Sequence, residues 1–524
     1  MPPIRVGTPD QFAAVRDAAR RAGYTEAELA RRCEIPSIYR FRTLRDGRAV
    51  EREVHDAFGV LLHLFLDEEP LPWSTVRAHL DADGVAALRA LGLVEDAPDG
   101  ERCRATVLLY PTHSLLIASD LTHPRDGGAL PADAVYPAIT SNTGHFLTML
   151  PETPCDALLE LCAGTGVAAL AAARRCGHVW ATDITERSAH FARFNAALNG
   201  IANATAARGD LYAAVAGRTF DRIVAHPPYV AEPEVHLVFR DGGEDGEQVT
   251  RGIVRGAPAH LRPGGTLHCT CAVTDRAGRP FERRLREWLG EAEGEFDVFF
   301  FPQAAHEPTH FLVERAVQGR EPWSTVERRH ATFARLEVER IVYGSFVVRR
   351  RTAAEGARPP LTVRRRSTPA ATGADVRHEM AREAAVAAPG VEETLADAPL
   401  AASSAATFAL THALVDGAWQ ATACHVHLAE PFVVDAEVPP WIAALLVRCD
   451  GRRPVRTVVA ELQTEGMAPD ALRPEELRPL LRAFVGAGIL LLPAPSPGAP
   501  SPGAPYAAMP RDAPFTTATS TVAK

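Results

Sequence analysis

The sequence predicts an α/β protein built on a doubly wound, mostly parallel sheet, and three observations carry that prediction. From about residue 104 to 350, short apolar runs of strand length alternate with amphipathic stretches of helical period. One run, Asp156-Ala157-Leu158-Leu159-Glu160-Leu161, feeds directly into Cys162-Ala163-Gly164-Thr165-Gly166, a tight glycine turn. A later run, Phe220-Asp221-Arg222-Ile223-Val224-Ala225, ends on His226-Pro227-Pro228-Tyr229, a corner stiffened by two prolines and tipped by an aromatic ring.

The strands expected in this stretch are Ala157–Leu161, His178–Thr182, Arg222–Ala225, Thr266–Ala272, Asp297–Phe301 and Ile341–Val348. Helices fall between them, among them Val167–Arg175 and Arg187–Asn199. Leu261-Arg262-Pro263-Gly264-Gly265 reads as a sharp turn into the strand that follows.

The flanks divide the rest. Residues 1–103 read as a helical, winged-helix-like domain: apolar positions recur at helical spacing in Phe12–Ala22, Val54–Leu66 and Val85–Leu93, before a strand-like Arg104–Tyr110. Such a unit either recognises nucleic acid or peptide, or caps the catalytic core. The lack of a basic cluster favours the cap. Residues 351–430 are a linker and a poorly readable segment. Its arginine runs, Arg349-Arg350-Arg351 and Arg364-Arg365-Arg366, read as solvated charge more readily than as a phosphate contact. Residues 431–492 form a small unit of three helices, Trp441–Arg448, Val455–Gln463 and Leu477–Val485, closed by a short strand Ile489–Leu492. The stretch 493–524 repeats Ser-Pro-Gly-Ala-Pro and is expected to be a disordered tail.

At 524 residues, two to four domains are expected. A net charge of −9 argues against an electrostatic footprint for nucleic acid over the whole protein. Nine cysteines at irregular spacing, with no Cys-x-x-Cys, fit reduced thiols in a cytoplasmic protein. No apolar run approaches the length that spans a bilayer, so no membrane is expected as partner.

Gly164 and Gly166 let the backbone turn tightly and lie against a ligand. Gly164-Thr165-Gly166-Val167-Ala168-Ala169 also satisfies the Rossmann-type dinucleotide fingerprint G-x-G-x-x-A, with Asp183 as a later acidic residue. Alone, the turn does not separate an NAD-dependent oxidoreductase from a methyltransferase. Glu160, four residues before the first glycine, and the corner at 226–229 decide between them.

With these features the stretch 104–350 resembles the class I S-adenosylmethionine methyltransferases, and the release-factor-type and small-domain enzymes in particular. The resemblance implies S-adenosylmethionine as cofactor. It assigns Asp183 to the ribose hydroxyls, Asp210 to the adenine amine and Leu211 to the flank of that ring. Asn142 lies in a segment that closes over the cofactor, and Cys162, Thr165 and Ile184 complete the cofactor set with Glu160, Gly164 and Gly166. The first residues of the helix after Gly166 should face the bound molecule with their N–H groups.

His226-Pro227-Pro228-Tyr229 resembles the Asn-Pro-Pro-Tyr loop of enzymes that methylate planar nitrogens, which makes these four the catalytic candidates. Here histidine stands in place of asparagine. An imidazole with a pKa of about 6.5 accepts hydrogen bonds and also removes protons, so a hydroxyl, imidazole or amine acceptor becomes open beside an amide; simple packing is the alternative role for His226. The acidic loop holding Asp241, Gly242 and Asp245 is expected to wall the substrate pocket, or to be a solvated loop. The unit 431–492 resembles the winged-helix peptide-chaperone domains of natural-product maturation, which implies a peptide or protein acceptor. An RNA base is the second acceptor, and a nonenzymatic binding protein the reading from another class. No metal is expected: His306-Glu307-Pro308-Thr309-His310 matches H-E-x-x-H but places a proline inside the turn the motif needs. Cys424-His425-Val426-His427 alternates as a strand does.

Overall fold

A computed structural model describes residues 3–41, 53–122, 129–318 and 321–493. At its centre lies an eight-stranded sheet: β1 (Cys155–Leu161), β2 (Cys176–Asp183), β3 (Ala204–Arg208), β4 (Phe220–Ala225), β5 (Leu261–Arg276), β6 (Phe296–His306), β7 (Val338–Arg350) and β8 (Thr362–Arg364). Their spatial order is 3-2-1-4-5-7-6-8. Strands β1 to β5 run parallel, whereas β7 is antiparallel to both β5 and β6. The order reverses between β1 and β4, the point at which a doubly wound sheet opens a crevice beyond its strand ends.

All six expected strands are present and longer than expected. Two were not foreseen. Strand β3, Ala-Thr-Ala-Ala-Arg, is an edge strand without the β-branched and aromatic run that announces the others. Strand β8 is three residues within an arginine-rich stretch.

The helices that matter for the site are α1 (Ser141–Thr148), α2 (Val167–Ala172), α3 (Glu186–Leu198), α4 (Gln248–His260), α5 (Phe281–Leu289), α6 (Pro308–Val317) and α7 (Trp323–Arg335). Thr185 caps α3 by accepting from the Ser188 N–H at 3.0 Å. Asn195, buried on α3, holds two elements at once. Its amide donates to the carbonyls of Ala118 and Thr165 at 3.0 Å each, and its Oδ1 accepts from the Ala118 N–H at 2.8 Å. That ties the strand Leu115–Ser119 and the glycine turn to one helix.

The N-terminal helices pack on this same region. The Phe12 ring meets Phe194 of α3 edge-on at 5.3 Å, and Arg16 donates to the Leu198 carbonyl at 2.8 Å. One hydrophobic cluster runs from Ile4 through Phe58 and Leu88 into Val167, Leu170 and Phe191. Helices Trp73–His79 and Ala82–Ala90 lie in sequence between strand Leu71–Pro72 and strands Val94–Asp96 and Arg102–Ala105, and the three strands form one small sheet. The single strand expected over Arg104–Tyr110 divides instead into Arg102–Ala105 and Leu108–Thr112, the latter paired with Leu115–Ser119.

Residues 351–430 are not a linker of solvated charge. Thr362–Arg364 joins the central sheet, Gly373–Val386 is a helix, and Thr407–Val415 with Ala418–Leu428 is a long hairpin containing Cys424-His425-Val426-His427. The arginines are paired. Arg364 binds Asp275 and Glu282, Arg365 binds Glu379 and Glu383, and Arg349 binds Asp297 and Glu355. Burial of β8 and its neighbours required counter-ions, which composition alone could not show. Arg358 and Asp297, both buried, form a bidentate pair. Arg358→Met should lower stability by roughly 2 kcal/mol, because it leaves a buried carboxylate with only Arg349 at 3.3 Å and the Leu361 N–H as partners among the described residues; the midpoint of urea unfolding measures the loss.

The C-terminal helices fall at Pro440–Arg448, Val455–Thr464 and Arg478–Ala487, and a two-residue strand Leu490–Leu491 pairs with Ala401–Ala402. These elements share a hydrophobic cluster of their own with Leu395 and Leu400. The expected tail from 494 on lies outside the described residues. Among the described residues no helix is long and apolar enough to cross a membrane.

Candidate functional site

Beyond the C-terminal ends of β1, β2 and β4 lies a cavity of 1210 Å³, lined by fifty-odd residues' worth of loop and helix surface. Of the site residues expected from the sequence, Asn142, Glu160, Cys162, Gly164, Thr165, Asp183, Ile184, Asp210, Leu211, His226, Pro227, Pro228, Tyr229, Asp241 and Asp245 line it. Gly166 and Gly242 do not.

One half of the cavity is built from the ends of β1, β2 and β3. Gly164 and Gly166 take φ of +52° and +78°, and a Cβ on Gly166 would stand 3.1 Å from the Ala192 Cβ. Gly166 therefore lets the turn pack on α3 rather than touch a ligand itself. Two non-glycine residues also adopt left-handed backbone here, Cys162 at +54° and Leu211 at +48°. Such conformations in non-glycine residues gather at functional sites. The Asp183 carboxylate accepts from the Gly164 N–H at 2.9 Å and the Thr185 N–H at 3.1 Å, which fixes its rotamer over the turn. Burial raises its pKa above the usual carboxylate value.

One expectation fails in detail. The first N–H groups of α2 do not face the cavity: Ala168 and Ala169 donate to the Glu160 carboxylate, at 3.3 and 2.8 Å. Glu160 caps the helix from within the sheet. Burial pushes its pKa up to about 8 despite those two bonds, with the Asp183 charge adding to the rise. A carboxyl raised above its unfolded value makes the folded state bind more protons, so its contribution is intact below about pH 4.5 and lost as pH climbs toward 8. Glu160→Gln should accordingly flatten the decline of ligand-free stability across that window, measured as thermal midpoint against pH.

The other half forms around the corner at the end of β4. The His226 ring lies on Phe146 of α1, with centroids 5.3 Å apart and planes inclined by 27°. Tyr229 sits 6.0 Å from His226, and its hydroxyl accepts from the Asn142 Nδ2 at 2.6 Å. Asn142, expected over the cofactor, lines the cavity and is bound to the Tyr229 corner. Tyr343 of β7 closes the far side, edge-on to Tyr229 at 6.1 Å. The Nε2 atom of His226 is shut off from solvent and has no hydrogen-bond partner among the described residues. Burial, then the nearby His145, lowers the His226 pKa to about 4. The ring is neutral at neutral pH, a weaker base than an exposed histidine.

The acidic loop walls the cavity through Asp241 and Asp245, as expected, but its carboxylates are engaged within the protein. Asp241 is spent on the N–H groups of His236 and Leu237, each at 2.8 Å, and on Arg240. Asp245 binds Arg251 and Arg276. A Cβ on Gly242 would collide with the carbonyls of Gly246 and Pro228, at 2.5 and 2.7 Å. Gly242 thus lets this loop brace the proline corner from behind, so the wall is structural and offers no free carboxylate.

Several wall residues were not foreseen. Tyr136 and Phe239 stack at 4.6 Å and 17°, and α6 and α7 contribute Phe311, Arg315, Arg329 and Phe333. Their only signal was aromatic residues scattered over loops and a helical pair inserted between β6 and β7. His306 ends β6, while Pro308 begins α6 under the Glu307 cap, so His306 and His310 do not share a continuous helix. His425 and His427 lie in the C-terminal hairpin.

This chemistry fits S-adenosylmethionine. The cavity exceeds the 300–1,000 Å³ usual for one ligand and leaves room for an acceptor. A rigid carboxylate, Asp183, ends β2, and Ile184 and Leu211 supply apolar surface beside it. The fold and this site define a class I S-adenosylmethionine methyltransferase core. Residues 137–294 match the family model of the methyltransferase small domain. A ribosomal protein uL3 glutamine methyltransferase from Bradyrhizobium diazoefficiens is 34% identical over 172 residues, covering 29% of this chain and 52% of that protein. A release factor glutamine methyltransferase from Cereibacter sphaeroides is 43% identical over 129 residues, covering 22% and 46%, respectively. The chain thus spans about half the length of these relatives. Among solved structures, the T. thermophilus 16S rRNA methyltransferase RsmC is 20% identical with a TM-score of 0.26, covering 41% of this chain and 57% of that one; a likeness of that size adds nothing to the strand order.

Proposed function

We propose that the chain transfers the methyl group of S-adenosylmethionine to a planar side-chain nitrogen of a peptide or protein. The observation that carries this is the His226-Pro227-Pro228-Tyr229 corner, which opens into the same cavity as the glycine turn. The bound cofactor would supply an electrophilic methyl on a sulfonium. Pro227 and Pro228 fix the backbone of the corner, and the Tyr229 ring offers a flat apolar face to a planar acceptor. His226, neutral and with its Nε2 unpartnered among the described residues, accepts a hydrogen bond from an acceptor N–H and aligns the nitrogen lone pair; as the nitrogen–methyl bond forms the methyl–sulfur bond would break, and the acceptor's N–H proton would pass to solvent. Alignment of this kind is the main source of rate in a two-reactant step.

From the sequence, histidine in place of asparagine favoured acceptors that must lose a proton. The low basicity of His226 supports a nitrogen that sheds its proton only as the methyl arrives, such as an amide, over an acceptor that a base must deprotonate first, since a general base works best with a pKa near the working pH. The glutamine methyltransferase names of the relatives support the same reading. In this reading residues 1–103 cap the core, and the C-terminal helical unit is a winged-helix-like module that docks the peptide acceptor. Labelled S-adenosylmethionine incubated with host extract, followed by protease or nuclease on separate aliquots, tests it. Label removed by protease supports the proposal; label removed by nuclease transfers it to an RNA base, and absence of cofactor binding leaves an oxidoreductase or a nonenzymatic binding protein.

A further inference from the structure

At the end of the sheet opposite the cavity, two thiols meet. Cys155 opens β1, Cys176 opens β2, and the two residues are directly paired in the parallel register. Their sulfurs stand 3.2 Å apart, inside van der Waals contact. Neighbouring strands lie about 4.8 Å apart, within the Cα separations that disulfides span. Arg222 of β4 lies beside them. Its terminal nitrogens are held by the carbonyls of Pro151 and Thr153 and by the Thr153 hydroxyl, while its Nε is buried with no hydrogen-bond partner among the described residues. A guanidinium next to a thiol pair stabilises a thiolate. The S–H of Cys155, first, and then the Arg222 charge hold the Cys176 thiol below the usual thiol value, with Arg175 contributing. Cys176 is buried and Cys155 only half-buried, so a small oxidant reaches the pair from the Cys155 side.

We propose that Cys155 and Cys176 are a peroxide-sensitive modification site, closed by hydrogen peroxide into a disulfide between β1 and β2. The Cys176 thiolate attacks one peroxide oxygen. An S–O bond forms, the O–O bond breaks, and hydroxide leaves and is protonated to water. Cys176 has then lost two electrons to the peroxide and stands as a sulfenic acid. The Cys155 sulfur attacks the Cys176 sulfur, the S–S bond forms as the S–O bond breaks, and hydroxide departs with the Cys155 proton as a second water. The disulfide closes residues 155 to 176 into a loop that contains the whole glycine turn, Glu160 to Gly166. It restrains that turn in the unfolded chain and so stabilises the fold that holds it. The proposal is independent of the acceptor, since it concerns the closed end of the sheet.

The full chain is treated with hydrogen peroxide, alkylated, digested without reductant and mapped by mass spectrometry. The expected product is the 155 and 176 peptides joined, two hydrogens lighter than their sum, with a thermal midpoint that rises and returns on adding dithiothreitol. In Cys155→Ser, dimedone should instead trap a sulfenic acid on Cys176. Full alkylation of both cysteines after peroxide, or Cys176 passing to sulfinic acid in the native chain without a cross-link, overturns the proposal.

Discussion

Replacing His226 by alanine should lower kcat by at least about 100-fold, the scale on which a positioned hydrogen-bonding or proton-handling side chain contributes, and should leave S-adenosylmethionine affinity nearly unchanged. The separation follows from placement. His226 ends β4 and stacks on Phe146, whereas the carboxylate and glycine turn that suit the cofactor end β1 and β2. His226→Asn restores an amide at the position and should recover part of the rate, because an amide oxygen also accepts a hydrogen bond. A second readout separates alignment from proton removal. With a pKa of about 4, the imidazole stays neutral from neutral pH down to nearly that value, so kcat should show no acid limb near 6.5. A limb at 6.5 that vanishes in His226→Asn would return His226 to the role of general base. A collapse of cofactor binding in His226→Ala would put it in the wrong half of the cavity.

How much of this was legible in the sequence depends on how local each feature is. The glycine turn, the proline corner and the acidic residue closing β2 are local backbone devices, and residue type alone announces them. So do the long apolar strands β1, β4 and β5. Features made by partners distant in sequence were not legible. The arginine runs near 350 and 365 looked like solvated charge because Asp275 and Asp297 are remote along the chain. Asp241 and Asp245 were misread for a local reason, since residue type does not show that the loop's own N–H groups and the nearby Arg240 and Arg251 occupy their oxygens. The basicity of His226 was misjudged because its neighbours are remote. Its environment comes from Phe146 and His145 on α1, some eighty positions earlier.

Asp183→Ala should weaken S-adenosylmethionine binding by at least about 100-fold, and Asp183→Asn by less. A carboxylate gripping two hydroxyls makes charge-assisted hydrogen bonds of about 1.5–3 kcal/mol each, and two such bonds exceed the 2.7 kcal/mol that corresponds to 100-fold. Alanine also releases the Gly164 and Thr185 N–H groups that the carboxylate now orders, so the turn loses its template together with its ligand contact. Asparagine keeps one oxygen for Gly164 and loses the charge. The two variants should part company in stability. Burial raises the Asp183 pKa, so ionisation opposes folding above the unfolded carboxylate range, and that cost disappears in Asp183→Asn. Calorimetric titration with S-adenosylmethionine, paired with the ligand-free thermal midpoint at pH 7, distinguishes the roles. Weaker binding in Asp183→Asn with a midpoint equal to or above that of the native chain marks Asp183 as a cofactor ligand. A midpoint that falls in step with affinity would reduce it to a brace for the turn, and the cofactor assignment would then have to rest on Glu160, Ile184 and Leu211.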